Sequence, residues 1–330
     1  LRKANNFPPQ NKQMNIYRRA APILFGTRAA LMPHLFPLLP LASDLFPKKD
    51  ARRAISFIHL TIARAYDIMD GEGAAAGSPT TWRGARRIME KILQISHLSK
   101  TYGKGKKAVD DLSLDVYAGD IYGFIGQNGA GKTTTLRAVT GILEFDEGEI
   151  TICGNSVKQK PVQCKQVTAY IPDNPDLYEY LTGIQYLNFM GDMFGVETGV
   201  RKERIERYAA MFRIEGDLGS LISSYSHGMK QKLAIIGALL HEPKLMVLDE
   251  PFVGLDPEAA FKLKQVFRDM CAAGSAIFFS THVLDVAEKL CNKIAIIKQG
   301  KLMASGDIDA VRGDESLESV FMEVLEKDAR

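Results

Sequence analysis

Residues 126–134 read GQNGAGKTT, with three glycines inside six positions, then a lysine and two threonines. Glycines at this spacing let successive backbone N–H groups turn inward around an anion, because no Cβ blocks the approach. Gly126, Gln127, Asn128, Gly129, Ala130, Gly131, Lys132, Thr133 and Thr134 would together cradle the phosphates of a nucleotide. The spacing fits the pattern G-x-x-x-x-G-K-[ST] without a mismatch. In that pattern Lys132 reaches the β- and γ-phosphates and the Thr133 hydroxyl ligates Mg²⁺. Hydrolysis demands two further groups: a carboxylate for the metal and something to position water. KLMVLDEP (244–251) supplies both, ending in Asp249-Glu250-Pro251. Asp249 is expected to hold the Mg²⁺ shell, and Glu250 to act as general base toward the attacking water.

These groups need strands and a helix to aim them. IYGFI (121–125) has the pattern of a short buried strand directly before the glycine loop. TTTLRAVTGILEFDEGE (133–149) carries helical spacing through Leu136, Val139 and Leu143, so a helix is predicted to run to the Asp-Glu-Gly turn. A loop between strand and helix is the context that separates a phosphate cradle from an incidental turn, and the helix adds its positive dipole end. Leu245 to Leu248 form a continuous apolar run, as in a strand covered on both faces. Strands are also predicted from residue 91 onward and over AVDDLSLDVYAGD (108–120).

From about residue 90 onward the chain resembles the ATP-binding subunits of ABC transporters, on several motifs in family order. The resemblance implies an α/β P-loop NTPase core, with a mostly parallel sheet and flanking helices. It also implies an antiparallel β subdomain and an inserted α-helical subdomain at about 174–240. Tyr102 in SKTYG looks like the aromatic that stacks on adenine. Asp256 in GLDP (254–257) looks like the acid of a loop facing the opposite subunit, and His282 in STH (280–282) like the switch that touches the γ-phosphate. YSHGM (225–229) stands where the family has Leu-Ser-Gly-Gly-Gln; Ser226 and Gly228 match, while Tyr225, His227 and Met229 depart. Ser226 is a good helix N-cap, and its helix would aim a positive dipole end at ATP held by another subunit. Similar Ser-x-Gly-Met-Lys-Gln forms are familiar from subunits serving ABC-2 type exporters. Asp173 occupies the place of a family glutamine that bridges Mg²⁺ and the membrane partner, making the metal surroundings more anionic.

The resemblance further implies ATP and Mg²⁺ as ligands and a head-to-tail dimer with a second copy or a homologous subunit. It implies a separate transmembrane permease, hence a place on the cytoplasmic face of a bacterial membrane, and no nucleic acid is expected as a partner. No second phosphate loop appears, and no continuous membrane span follows residue 89, so the permease is expected to be another polypeptide. Exposed aromatics at Tyr178 and Tyr180 fit either local packing or partner contact.

Residues 1–88 differ in composition, with 14 Lys and Arg against five Asp and Glu, eight of the 14 prolines and the sole tryptophan. Residues 89–330 carry 28 basic and 34 acidic side chains. The apolar stretch 21–46 is interrupted by Arg28, three prolines and Asp44, which argues against a spanning helix of about 20 apolar residues. Arg-Arg-Ile-Met (86–89) can be encoded AGG-AGG-ATN-ATG, which resembles a bacterial ribosome-binding sequence. Residues 1–88 are therefore expected to be a disordered or non-native extension, with the native product starting at Met89. Cys153, Cys164, Cys271 and Cys291 show no metal-ligand spacing and are expected to be buried thiols.

Two other functions remain at the level of sequence. A soluble ABC-type ATPase acting on ribosomes or DNA would usually carry two cassettes or a long coiled-coil insert. A P-loop nucleotide kinase would have no place for Ser226, Gly228 and His282.

Overall fold

β3 (Ile121–Ile125), β7 (Leu245–Asp249) and β8 (Ala276–Thr281) are buried along their whole length. Their side chains alternate between two cores. Ile125, Met246, Leu248, Ile277 and Phe279 pack in one, while Phe124, Leu245, Val247 and Phe278 pack in the other. Such two-sided burial is why these strands read as unbroken apolar runs. Each large side chain so enclosed, Phe278 for example, contributes about 2–3 kcal/mol of transfer free energy.

The computed structural model describes residues 90–103 and 105–326; the expectations for 1–88 lie outside these. With β6 (Thr168–Ile171), β9 (Lys293–Lys298) and β10 (Lys301–Asp307), the buried strands form a six-stranded sheet in the order β10-β9-β3-β8-β7-β6. All neighbours are parallel except β10, which returns antiparallel to β9. A second sheet, antiparallel, runs β2-β1-β4-β5 through β1 (Lys91–Tyr102), β2 (Lys106–Tyr117), β4 (Glu147–Ile152) and β5 (Asn155–Ser156). The architecture is thus α/β, a mostly parallel sheet with a separate antiparallel sheet, as expected.

α1 (Lys132–Val139) follows the glycine loop and ends four residues before the expected Leu143. The chain leaves the helix at Gly141, which adopts φ 66°, and the Ile142 N–H returns to the Arg137 carbonyl at 3.0 Å. That closure satisfies carbonyls a continued helix would have used, so the Thr-Gly pair overrides the apolar spacing at Leu143. α2 (Pro161–Gln166) leads into β6. Between β6 and β7 lie α3 (Gly183–Met193), α4 (Thr198–Phe212) and α5 (His227–Leu239), where the resemblance implies a helical insertion. α6 (Pro257–Ala272), α7 (Leu284–Leu290), α8 (Ile308–Arg312) and α9 (Leu317–Glu326) complete the described helices. The four cysteines are free, three buried and Cys153 partly so. Among the described residues no helix is long and apolar enough to cross a membrane.

His241 closes the helical segment before β7 and stacks on Phe194, with ring centroids 3.7 Å apart and planes at 6°. Burial pushes the imidazole pKa down from 6.5 to about 4, against a smaller opposing effect of the Thr168 backbone. The folded chain therefore holds His241 neutral, while the unfolded chain takes up a proton below pH 6.5. Stability from this group is complete above pH 6.5 and is lost as pH falls toward 4, on the order of 2 kcal/mol by pH 5. His241→Phe keeps the stack without the proton site. Its melting temperature is expected to fall less than the parent's between pH 6.5 and 5 in thermal denaturation; parallel slopes would contradict the buried neutral imidazole.

Candidate functional site

The glycine loop leaves the C-terminal end of β3 and turns into α1. Gly131 caps the helix with φ 109°, and a Cβ there would come within 2.3 Å of the Ala108 carbonyl oxygen. A Cβ on Gly126 would meet the Ile297 carbonyl oxygen at 2.5 Å. Both glycines are therefore required by close backbone approach. The Gly300 N–H donates to the Ala130 carbonyl at 2.8 Å, tying the loop to the turn after β9.

Lys132 folds back inside this cradle. Its Nζ donates to the Gly126 carbonyl at 2.6 Å and to that of Gln127 at 3.4 Å, and lies 3.8 Å from Glu250 Oε1. Burial pushes the ammonium pKa down, and the carboxylates of Glu250 and Asp249 oppose that shift. A cation held among loop carbonyls and short of water has a ready use for an anionic partner.

Asp249 ends β7 almost fully buried. Its Oδ2 accepts from Thr133 Oγ1 at 2.7 Å and its Oδ1 accepts from Ser280 Oγ. Glu250 follows with φ 48°, unusual for a residue with a side chain, and this kink directs it away from the strand. Its N–H donates to the Ser280 carbonyl and hydroxyl, both at 3.2 Å. Its Oε1 lies 2.8 Å from His282 Nδ1. The hydroxyl of Thr133 and the carboxylate of Asp249 form a hard-oxygen donor set beside the phosphate cradle, which suits Mg²⁺. The residues present thus fit a magnesium nucleotide.

A cleft of about 700 Å³ brings together Tyr102, Gln127, Asn128, Gly129, Gly131, Lys132, Thr133, Thr134, Asp173, Asp249 and Glu250. Gly126 and Ala130 shape the loop from behind, and His282 joins through Glu250. Lys106, Lys107, Ala108 and Gln299 also line the cleft and are absent from the sequence reading. Lys106 pairs directly with Tyr102 across β1 and β2, so the hairpin brings it in, and only strand register could have signalled it.

Ser226, Gly228 and Asp256 stand apart, and none of them lines this cleft. Ser226 caps α5 by accepting from the Met229 N–H at 3.3 Å. Asp256 caps α6 by accepting from the Ala259 N–H at 2.9 Å, and its other oxygen meets Lys232 at 2.7 Å. The Lys232 ammonium, followed by the Ala259 N–H, holds the Asp256 carboxyl below the usual range. A Cβ on Gly228 would lie 2.7 Å from the Gly254 carbonyl oxygen, so the two segments pack backbone to backbone.

The ABC transporter family model matches residues 109–253. An uncharacterized ABC transporter ATP-binding protein, YhcH of Bacillus subtilis, is 35% identical over 234 residues, covering 70% of this chain and 73% of that protein. The Nod factor export ATP-binding protein I of Cupriavidus metallidurans is 32% identical, covering 69% of this chain and 78% of its own length. A solved ATP-binding subunit of an ABC transporter superposes with a TM-score of 0.69 at 34% identity, over 71% of this chain and 99% of that one.

The steric case at Gly131 has a direct test. Gly131→Ala is expected to weaken ATP binding by at least about tenfold in isothermal titration while circular dichroism stays that of the parent. Parental ATP affinity in that variant would show that the close approach to Ala108 does not shape a nucleotide site.

Proposed function

The chain belongs to the ABC transporter family as an ATP-hydrolysing, ATP-binding subunit, and we propose that it works in a head-to-tail pair to power a separate membrane permease, as an exporter. The observation that carries the pairing is the separation just described. Lys132, Asp249 and Glu250 share one cleft, while Ser226, Gly228 and Asp256 lie together outside it. In the proposed pair, Ser226 and the N-terminal turn of α5 from one copy face the γ-phosphate held by the loop of the other. The partner is a second copy or a homologous subunit.

Within each cleft Tyr102 stacks on the adenine and the loop N–H groups hold the phosphates. Thr133 and Asp249 would hold Mg²⁺, with Asp173 lining the same cleft as a further carboxylate for its surroundings. Bound there, the ion would supply positive charge against the phosphates. Glu250 accepts the proton of the attacking water, and His282 fixes the Glu250 carboxylate through Oε1 and responds to loss of the γ-phosphate. Lys132 Nζ lies 3.8 Å from the same oxygen while holding phosphate.

The permease reading draws on the family and on the helical segment between β6 and β7. Tyr178, Tyr180 and Phe189 are exposed there and cluster, the Tyr178 ring centroid lying 5.9 Å from that of Tyr180 at a tilt and 5.5 Å from that of Phe189 in a T-shaped contact. They support a contact surface for the permease, and with it the reading of a subunit on the cytoplasmic face of a bacterial membrane. Export is supported by the name of the Nod factor export relative and by the Ser226-to-Gln231 form of the signature.

Glu250→Gln is expected to retain ATP, lower hydrolysis by about 100-fold or more, and shift the chain to a dimer in size-exclusion chromatography with MgATP. Full ATPase activity would overturn the assignment of the base, and a monomer with ATP bound would overturn the homodimeric pair. Asp173→Asn is expected to leave ATP affinity close to parental while changing the hydrolysis rate; an unchanged rate would remove Asp173 from the metal surroundings.

A further inference from the structure

β8 is an apolar strand, AIFFST, yet its fifth residue is a serine with no solvent exposure. Burying a hydroxyl in such a strand is unfavourable unless the group is hydrogen-bonded. Ser280 is bonded twice, and both partners belong to the site. Register places Ser280 beside Phe124 on β3 and beside Asp249 on β7, between the strand that launches the phosphate loop and the strand that ends in the two acids. Its Oγ accepts from the Glu250 N–H at 3.2 Å and donates its single proton to Asp249 Oδ1. With the backbone N–H occupying a lone pair, the hydroxyl proton is committed to the carboxylate.

We propose that Ser280 is a positioning residue that sets the Asp249 carboxylate for Mg²⁺ and holds Glu250 in its kinked conformation. This rests on the roles assigned above to Asp249 and Glu250. Asp249 is gripped on both oxygens, Oδ2 by Thr133 and Oδ1 by Ser280, so the carboxylate plane cannot rotate without breaking one of them. With Thr133 and Asp249 turned to a metal the first grip would loosen, while the hydrogen bond from Ser280 would remain and keep the oxygen pair oriented. Hydrogen bonds to an ionised acceptor are the stronger kind, and outer partners of metal-binding carboxylates commonly carry a tenfold or larger share of metal affinity. Two residues on, His282 reaches Glu250 from the same strand end. The end of β8 therefore meets both acids, Asp249 at the end of β7 and Glu250 just after it.

The test measures binding rather than turnover. Affinity of the full chain for a non-hydrolysable ATP analogue, adenylyl imidodiphosphate, is determined with Mg²⁺ and with EDTA, and the ratio gives the metal increment. Ser280→Ala is expected to reduce that increment about tenfold while leaving the EDTA affinity parental. Ser280→Cys, with a weaker donor of similar size, is expected to fall between. Ser275→Ala removes another buried hydroxyl just before β8, one that donates to the Pro243 carbonyl at 2.9 Å, and is expected to keep the parental increment. An unchanged increment in Ser280→Ala overturns the proposal. So does an equal loss with and without metal, which would mark Ser280 as structural. A parent with no increment would overturn the metal role of Asp249 itself, on which the proposal stands.

Discussion

The 2.7 Å hydrogen bond from Thr133 to Asp249 is the contact around which the molecule is arranged. It joins the first turn of α1, which follows β3, to the last residue of β7, yet β3 and β7 are not neighbours. β8 lies between them in the sheet. The loop and the acid can meet only above the C-terminal edge of β8, where all three parallel strands end. That edge is where open α/β sheets place ligands, because loops diverge there and helix N-termini converge. The two buried cores hold the strands level enough for a hydroxyl and a carboxylate to meet across a whole strand.

Electrostatics then explains why so many groups crowd the same edge. Lys132 is buried at a cost that lowers its pKa, and Glu250 and Asp249 offset part of it. The two acids would repel each other without the cation and without their donors. Asp249 has hydroxyls on both oxygens, and Glu250 has His282 and Lys132 near one oxygen. The positive φ at Glu250 costs on the order of 1 kcal/mol and is offset by two acceptors at Ser280 for its N–H. Strain and hydrogen bonding sit on the same residue, the one proposed above to accept the proton of water.

Much of this was legible in sequence because it is local. The glycine loop and the apolar run ending in Asp249-Glu250 each announce themselves within a dozen residues. Leu143 misled because helical spacing is a weaker signal than the Thr140-Gly141 exit, where a left-handed residue closes the helix. Ser280, Lys106 and Gln299 escaped for another reason. Their importance depends on which strand or turn lies beside them, and register between β7 and β8, or across the β1–β2 hairpin, is a non-local property. STH was noticed for its histidine, whereas the serine two residues earlier has the more buried contact.

The parts outside the cleft follow a constraint of their own. Ser226 and Asp256 are 30 positions apart, but Lys232 on α5 binds Asp256 at the start of α6, and Gly228 lies against the Gly254 carbonyl. Any side chain at Gly228 would force these segments apart. The capping hydroxyl of one helix and the capping carboxylate of the other are thereby held as one unit, although neither touches the phosphate loop of the same chain. Helix N-termini attract anions, and here the N-terminus of α5 is kept exposed with Ser226 at its tip. On the proposed reading, phosphate bound by one copy draws that unit in from the other, so the γ-phosphate is a bridge between two rigid bodies. Cleaving it removes the bridge while each body keeps its own hydrogen bonds, which is how a small chemical change can open a large interface.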